Sequence, residues 1–223
     1  MTINTAMQEH VGSKILRRKG MFGMGLRETK AKKTRKRILS EALQLFGRNG
    51  YEQTTMEAIA EAAEVSPSTL YRYFLTKDLI LLDPLVGYDL IASFSLHAVN
   101  LPVEEALAKA ILEWAKWQDT NAEEILRVRS LIDQNIMPRA RVWDLISQSE
   151  RDLNARLAEK LHLPEDDLQV VLSVRLLFLT ITYTVADLWK ASAGRSSAVA
   201  IAEQVLRMFA EHKVLIPRKA PRR

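Results

Sequence analysis

The chain has 223 residues, of which 48% are hydrophobic, and its 32 Lys and Arg residues outnumber its 27 Asp and Glu residues, giving a formal net charge of +5. This length predicts one or two domains with a sizeable core, and the composition excludes collagen-like, low-complexity and wholly disordered chains. The sequence contains no Cys, which excludes a disulfide framework, a zinc-thiolate site, an iron-sulfur cluster and a thiol nucleophile.

The charge is distributed unevenly, and association with a polyanion depends on the local potential rather than on the total. Residues 1–37 carry a net charge of +9 and residues 212–223 carry +5, whereas residues 38–80 carry −3 and residues 81–211 carry −6. Both ends of the chain are therefore basic and its middle is acidic.

The first residues are rich in Gly and have few periodic apolar positions, which predicts a flexible basic extension over residues 1–26. Residues 214–223 are predicted to form a basic tail. The N-terminal basic residues are not followed by an apolar segment with a small-residue cleavage site, which argues against secretion and favours a cytoplasmic protein.

A basic run, RETKAKKTRKR, occupies residues 27–37 and leads directly into a helical pattern. The apolar positions recur at spacings of three and four residues and are Ile38, Leu39, Ala42, Leu43 and Phe46. This spacing predicts an amphipathic helix, which Gly50 ends. Taken alone, the basic run is equally typical of a solvated helix face.

Two short helices are predicted next. Thr54 and Thr55 can cap a second helix, whose apolar positions are Met56, Ile59, Ala60 and Ala63. Ser66 is a favoured N-cap and Pro67 suits the first helical position, so a third helix begins at once and buries Leu70 and Phe74. Two short helices joined by three or four residues define a helix-turn-helix, whose second helix enters the DNA major groove.

The outward face of the third helix carries hydrogen-bonding side chains, namely Ser68, Thr69, Tyr71, Arg72 and Tyr73. Thr and Tyr hydroxyls suit phosphate oxygens, Arg suits a guanine edge, and a Tyr ring or a Thr methyl suits a thymine methyl. The alternative is an ordinary polar helix face, in which the two Tyr rings are partly packed.

The stretch from Thr34 to Ile80 resembles the DNA-binding domain of the TetR (tetracycline-repressor) family of bacterial regulators. The matching positions are Thr34-Arg35, Leu45-Phe46, Gly50-Tyr51, Thr54-Thr55-Met56, Ile59-Ala60 and the pattern VSxxTLYxYFxxKD from Val65 to Asp78. One position departs from the family pattern, because Glu64 stands where members commonly have Gly. Either this position needs a positive φ, and Glu costs about 1 kcal/mol there, or the turn is built differently.

The resemblance implies roles for individual residues. Those expected to contact phosphates are Thr55, Thr69, Tyr71, Tyr73 and Lys77. Those expected nearest the bases are Pro67, Ser68 and Arg72. Arg35, in the matched Thr34-Arg35 pair, completes the predicted DNA-binding set.

From Leu79 onward the pattern is helical throughout, without alternating strand runs, which predicts an all-α protein. The resemblance implies a DNA-binding domain over residues 27–78 and a helical effector-binding and dimerisation domain over residues 79–213. It also implies that the last two long helices, near residues 165–193 and 196–212, pair with their copies in a homodimer. Their apolar faces, through Leu172, Leu176, Leu179 and Tyr183 and through Ile201, Val205 and Phe209, fit an intramolecular core equally well.

The family encloses an effector pocket whose chemistry varies between members. The candidate lining residues are Trp114, Trp117, Arg129, Trp143, Phe178 and Tyr183. The arginines at 127, 129, 139 and 141 faintly resemble those of regulators that bind acyl-coenzyme A, whose phosphates need cations. The alternatives are core aromatics and solvated arginines paired with nearby acids.

Other functions find little support in the sequence. The four His residues are far apart, and no catalytic, Walker-A or metalloprotease string occurs, so neither an enzyme nor a metal or cofactor site is predicted. Val170 to Trp189 is interrupted by Arg175 and Asp187, which predicts a buried helix of a soluble protein rather than a membrane span. The remaining alternative is a basic helical protein that binds nucleic acid or anionic membranes without sequence preference.

These observations predict a cytoplasmic, homodimeric transcriptional regulator and favour a repressor over an activator. It would bind a palindromic double-stranded DNA operator and respond to a small-molecule effector, an acyl-coenzyme A or another apolar ligand, without contacting a membrane.

Overall fold

The structure is a computed structural model that describes residues 26–192 and 195–214. Within these ranges it contains helices and no strand, which confirms the all-α prediction. The helices are α1 (Leu26–Asn49), α2 (Met56–Ala62), α3 (Pro67–Tyr73), α4 (Lys77–Leu82), α5 (Leu90–His97), α6 (Val103–Thr120), α7 (Ala122–Gln134), α8 (Ile136–Leu161), α9 (Leu168–Ala191) and α10 (Ala198–Ala210). A 3-10 turn, Asp83–Val86, follows α4.

The chain folds into two compact units. One comprises the chain up to Ala92 together with Arg127–Trp143, and the other comprises Ser93–Leu126 and the chain from Asp144 onward. The predicted domain boundary after residue 78 stays a prediction. The predicted extension over residues 1–26 and the tail over residues 214–223 lie almost wholly outside the described residues.

In the first unit, α1 is longer than its apolar pattern, because the whole basic run of residues 27–37 is itself helical. The helix ends as expected, since the Gly50 amide donates to the Phe46 carbonyl at 3.1 Å and Gly50 has φ +84°, a conformation that costs Gly little. The core is formed by side chains at most 5% exposed, including Ile38, Leu39, Ala42, Leu43, Phe46, Ile59, Leu70, Phe74 and Ile80.

In the second unit, α10 packs against α6, and a carboxylate from α6 caps α10. The amides of Ala198 and Val199 donate to Asp119 Oδ1 and Oδ2 at 2.7 and 3.1 Å. The Ala200 amide donates to Ser197 Oγ at 3.0 Å. Three of the four amides that a helix N-terminus leaves without partners are thus satisfied, and the carboxylate lies where the helix dipole favours it.

Replacing Asp119 with Ala is therefore expected to lower the free energy of unfolding by about 2 kcal/mol, because two charge-assisted hydrogen bonds are lost at a helix end. Asp119→Asn retains one acceptor oxygen and should lose less. Urea denaturation followed by circular dichroism measures both effects, and equal stability of Asp119→Ala and the parent protein would contradict this role.

The long helix α9 is buried on only one face, so the prediction of a buried helix is only partly correct. Its central segment, Thr180–Val185, is π-helical. The buried side includes Val174, Phe178 and Trp189. The opposite face exposes Leu168, Leu172, Leu176, Leu179 and Tyr183, whose exposed fractions range from 43% to 76%. By length and hydropathy, Lys77–His97 and α9 could each cross a membrane. In the most apolar 18 residues of each segment, 33% and 39% are buried.

Candidate nucleic-acid interface

The turn between α2 and α3 has the geometry of a helix-turn-helix. Thr55 is the N-cap of α2, because its Oγ1 accepts from the Ala58 amide at 3.1 Å. After α2 the Val65 amide donates to the Ala60 carbonyl at 2.9 Å, and Glu64 adopts φ +49°. The positive φ considered for Glu64 is therefore present, in a C-terminal motif that Gly usually provides.

The N-terminus of α3 is fixed by its own side chains. Ser66 Oγ accepts from the Thr69 amide at 3.2 Å and Pro67 occupies the first turn. The hydroxyl oxygens of Ser68 and Thr69 lie 3.0 and 2.9 Å from Ser66 Oγ. Leu70 is fully buried, so the helix is anchored on one side and its first turn is ordered before any ligand binds.

The predicted base-reading residues lie on the open side of α3. Pro67, Ser68 and Arg72 are exposed, and the Arg72 guanidinium carbon lies 5.7 Å from the centre of the Tyr73 ring. Tyr71 is 41% exposed, with its hydroxyl 3.4 Å from a Glu57 carboxylate oxygen. A single helix with these donors has the width and the chemistry that a major groove accepts.

The remaining predicted phosphate ligands of the helix-turn-helix differ in exposure. Thr55 is exposed beside the N-terminus of α2, whereas Thr69 and Tyr73 are half-buried. The Thr69 amide donates a hydrogen bond to Ser66 Oγ, and the Thr69 hydroxyl oxygen lies within hydrogen-bonding distance of the same atom. Thr55 thus lies at the N-terminus of α2 and Thr69 in the first turn of α3, whereas Tyr73 is the last residue of α3.

Arg35 forms an ion pair with Asp83 inside the first unit. Its Nε donates to Asp83 Oδ2 at 2.9 Å, its Nη2 donates to Asp83 Oδ1, and its guanidinium carbon lies 4.3 Å from the centre of the Phe74 ring. The two side chains are only 20% and 13% exposed. A contact of Arg35 with phosphate would therefore displace its ion pair with Asp83.

Lys77 also has partners within the protein. Its Nζ donates to the carbonyls of Tyr51, Glu52 and Thr54 at 2.9, 3.1 and 3.4 Å and lies 4.4 Å from the centre of the Tyr51 ring. An ammonium group has three hydrogens, so a contact with phosphate would displace one of these bonds. Lys77 thus fixes the loop between α1 and α2.

Tyr51 also stabilises the loop between α1 and α2. The Tyr51 hydroxyl donates to Asp78, and its ring packs against Phe46 with the ring centres 5.1 Å apart. Burial, followed by the hydrogen bond and the negative charge of Asp78, raises the pKa of Tyr51 far above its usual value. The phenol therefore stays protonated and keeps donating.

Two further contacts were not predicted from the sequence. Arg37 Nη1 donates to Glu64 Oε2 at 3.2 Å, and its Nη2 donates to the Glu64 carbonyl at 3.4 Å. Arg127 Nη2 donates to the Leu43 carbonyl at 2.7 Å, and a Cβ on Gly47 would lie 3.3 Å from this nitrogen. No sequence pattern signals either contact, because Arg37 and Glu64 are 27 positions apart and Arg127 and Leu43 are 84 positions apart.

The candidate effector residues do not all belong to one unit. Trp114 and Phe178 are buried in the second unit, where Trp117 is half-buried and Tyr183 is 43% exposed. Arg129 and Trp143 belong to the first unit, and Trp143 is 50% exposed. Among the four candidate aromatics in the second unit, Trp114 and Phe178 have the burial expected for an enclosed apolar site.

The fold and the interface define a helix-turn-helix DNA-binding domain, and comparisons with known proteins show what this domain is similar to. Residues 38–83 match the family model described as "Bacterial regulatory proteins, tetR family". The transcriptional regulator TcmR of Streptomyces glaucescens is 48% identical over 67 residues, which cover 30% of each chain. Residues 38–83 are therefore similar to the DNA-binding domain of the tetR family of bacterial regulatory proteins.

Solved structures extend the similarity in fold to most of the chain. NalD of Pseudomonas aeruginosa, a repressor of a multidrug efflux pump, matches with 20% identity and a TM-score of 0.59, covering 82% of this chain and 96% of NalD. FadR of Bacillus subtilis, solved with stearoyl-CoA, matches with 24% identity and a TM-score of 0.55, covering 78% and 96%. At these identities the likeness concerns the fold alone, whereas the sequence match to TcmR spans less than a third of that protein.

Proposed function

We propose that the protein is a cytoplasmic, homodimeric transcriptional repressor that places α3 of each copy in successive major grooves of a palindromic operator. The observation that carries the proposal is the capped N-terminus of α3, with Ser68 exposed in its first turn and Arg72 exposed in its last. Such a helix reads bases with its first residues, while neighbouring hydroxyls hold the phosphates. The names of TcmR and NalD, a regulator and a repressor, support the same function.

The test is selection of bound duplexes from a random library, followed by competition against mixed-sequence DNA. We expect a palindromic consensus and an affinity at least ~10³-fold above that for bulk DNA. Equal affinity for all duplexes would support instead a basic protein that binds nucleic acid without sequence preference. Equal binding to anionic lipid vesicles would support the membrane alternative.

A second copy of the chain is the proposed partner of the exposed face of α9. Leu168, Leu172, Leu176 and Leu179 form one apolar surface, and contiguous apolar surfaces of this kind mark interaction sites in soluble proteins. The half-buried Ile201, Val205 and Phe209 on α10 continue the apolar pattern. Two such helices from each copy would form a four-helix interface, and the dimer would mirror the symmetry of the operator.

Replacing Leu172 and Leu176 with Glu should therefore produce a monomer at micromolar concentration, because four like charges would be buried in the interface. Light scattering coupled to size-exclusion chromatography measures the mass, and gel shifts should show loss of operator binding. The matched control is Gln169→Glu with Gln204→Glu, which adds the same charge at exposed polar positions. A leucine variant that remains dimeric would contradict the proposed interface.

The proposed effector is an apolar small molecule that binds the helical domain near Trp114 and Phe178, with an acyl-coenzyme A as the first ligand to test. The stearoyl-CoA in the FadR structure motivates this choice. The protein would exist in two conformers that differ in operator affinity. An effector favours the conformer with lower operator affinity only if it binds that conformer more tightly than the other. Stearoyl-CoA should therefore quench tryptophan fluorescence and release the operator, and no effect of either kind would exclude this ligand.

A further inference from the structure

A basic stripe on α1 is not accounted for by the helix-turn-helix. Lys30, Lys33, Thr34 and Arg37, here called the α1 stripe, line an open cavity of about 270 Å³. Their spacing of three, four and seven residues places them on one face of the helix. The buried side chains of α1, such as Ala42 and Phe46, lie on the opposite face.

The α1 stripe ends beside the turn that leads into α3. Arg37 contacts both the carboxylate and the carbonyl of Glu64, and Glu64 lies two residues before the N-cap of α3, Ser66. The three cationic members of the stripe are exposed, and none of the stripe positions is acidic. A duplex that receives the N-terminus of α3 would therefore have this positive surface close to its backbone.

We propose that the α1 stripe binds the phosphate backbone of DNA beside the groove that α3 enters. The inference rests on the proposed function and extends the contact surface beyond the matched family domain, which starts at residue 38. From Lys30 to Arg37 the helix rises about 10.5 Å, which corresponds to about three base pairs at ~3.4 Å each. Lysines spaced in this way neutralise successive phosphates and release their counterions.

Glu64 lowers the positive charge that the α1 stripe offers to DNA, because its carboxylate pairs with Arg37. A Glu in the left-handed region is unfavourable, whereas Gly would adopt φ +49° without strain. The carboxylate of Glu64 instead holds the Arg37 guanidinium, in a pair whose side chains are 45% and 82% exposed. Because the pair is open to solvent, a phosphate can compete for Arg37. The Glu at this position thus weakens DNA binding by about one phosphate contact.

The first experiment compares Lys30→Ala/Lys33→Ala with Lys109→Ala/Lys116→Ala, which removes two exposed lysines from α6 and has the same net charge. Dissociation constants are measured by fluorescence anisotropy between about 50 and 200 mM salt, on the selected operator and on a mixed-sequence duplex of equal length. The stripe variant should make the slope of log K against log salt shallower by about 1.8, or ~0.9 per phosphate. Affinity should fall equally for both duplexes, because phosphate contacts carry no sequence information.

The second experiment isolates Glu64 with a double-mutant cycle. Glu64→Gln should steepen the salt slope by about 0.9 and tighten binding to both duplexes at low salt, because Arg37 is released. In an Arg37→Ala background the same substitution should leave the slope unchanged. An equal change in both backgrounds would mean that Glu64 merely repels DNA, which would overturn the pairing of Glu64 with Arg37 as the cause.

The outcomes separate this inference from the proposed function. If the parent protein binds all duplexes equally, the repressor function is contradicted. The salt slopes of the parent protein and the stripe variant on mixed-sequence DNA would still test the α1 stripe. If the parent protein discriminates sequences but the stripe variant and its α6 control have the same salt slope, the α1 stripe is not a phosphate site. Tighter binding of the parent protein to phosphatidylserine vesicles than to mixed-sequence DNA, lost in the stripe variant, would assign the stripe to a membrane and overturn the inference.

Discussion

Alanine at both Ser68 and Arg72 is expected to lower affinity for the selected operator by at least about 30-fold while leaving affinity for mixed-sequence DNA within several-fold of the parent protein. Both side chains are exposed, Ser68 in the first turn of α3 and Arg72 in its last. A good base contact contributes about 1–3 kcal/mol of discrimination, and every 1.4 kcal/mol corresponds to tenfold in affinity. Competition anisotropy with the two duplexes measures the ratio directly.

The matched control is Ser147→Ala/Arg151→Ala on α8, because this pair has the same residue types, the same four-residue spacing and exposed side chains. It should leave the discrimination ratio unchanged. Circular dichroism checks that both variants keep the parent helix content. An unaltered ratio in the Ser68/Arg72 variant would mean that α3 does not read bases, even if the protein still binds DNA.

Lys77 is a less selective probe of the interface than the pattern of the sequence suggests. The resemblance implies a phosphate contact, yet the ammonium group already bonds three carbonyls of the loop between α1 and α2. Alanine at this position would leave these acceptors without their charged donor. Loss of DNA binding in such a variant would therefore combine a disturbed loop with a lost phosphate contact, whereas Ser68 and Arg72 lie on the open side of α3.

The sequence was sufficient where the physical cause is local. Ser66 and Pro67 determine the start of α3, and Gly50 determines the end of α1, because capping and backbone preference act within four residues. The departure at Glu64 was informative for the same reason, since the positive φ that the sequence left open there is a property of the turn itself.

The contacts that the sequence did not reveal join residues far apart in the chain. Arg35 and Asp83 are separated by 48 positions and Arg37 and Glu64 by 27, and no helical periodicity encodes such pairs. A basic run therefore predicts positive potential but not which cations are already paired. Periodicity likewise identified the apolar face of α9, but it could not distinguish an intramolecular core from a surface left open in the single chain.

The ion pair between Arg35 and Asp83 predicts the largest loss of stability. Arg35→Ala should lower the free energy of unfolding by about 3 kcal/mol, because it leaves a largely buried carboxylate without its cation and removes the guanidinium from the Phe74 ring. Asp83→Ala should have a comparable effect, and the double variant should lose less than the sum of the two. Arg35→Lys should not restore stability, since an ammonium group cannot form the bidentate pair. Urea denaturation measures all four variants. If Arg35 served only as a phosphate ligand, Asp83→Ala would leave stability unchanged and Arg35→Ala would alter only the salt slope of DNA binding.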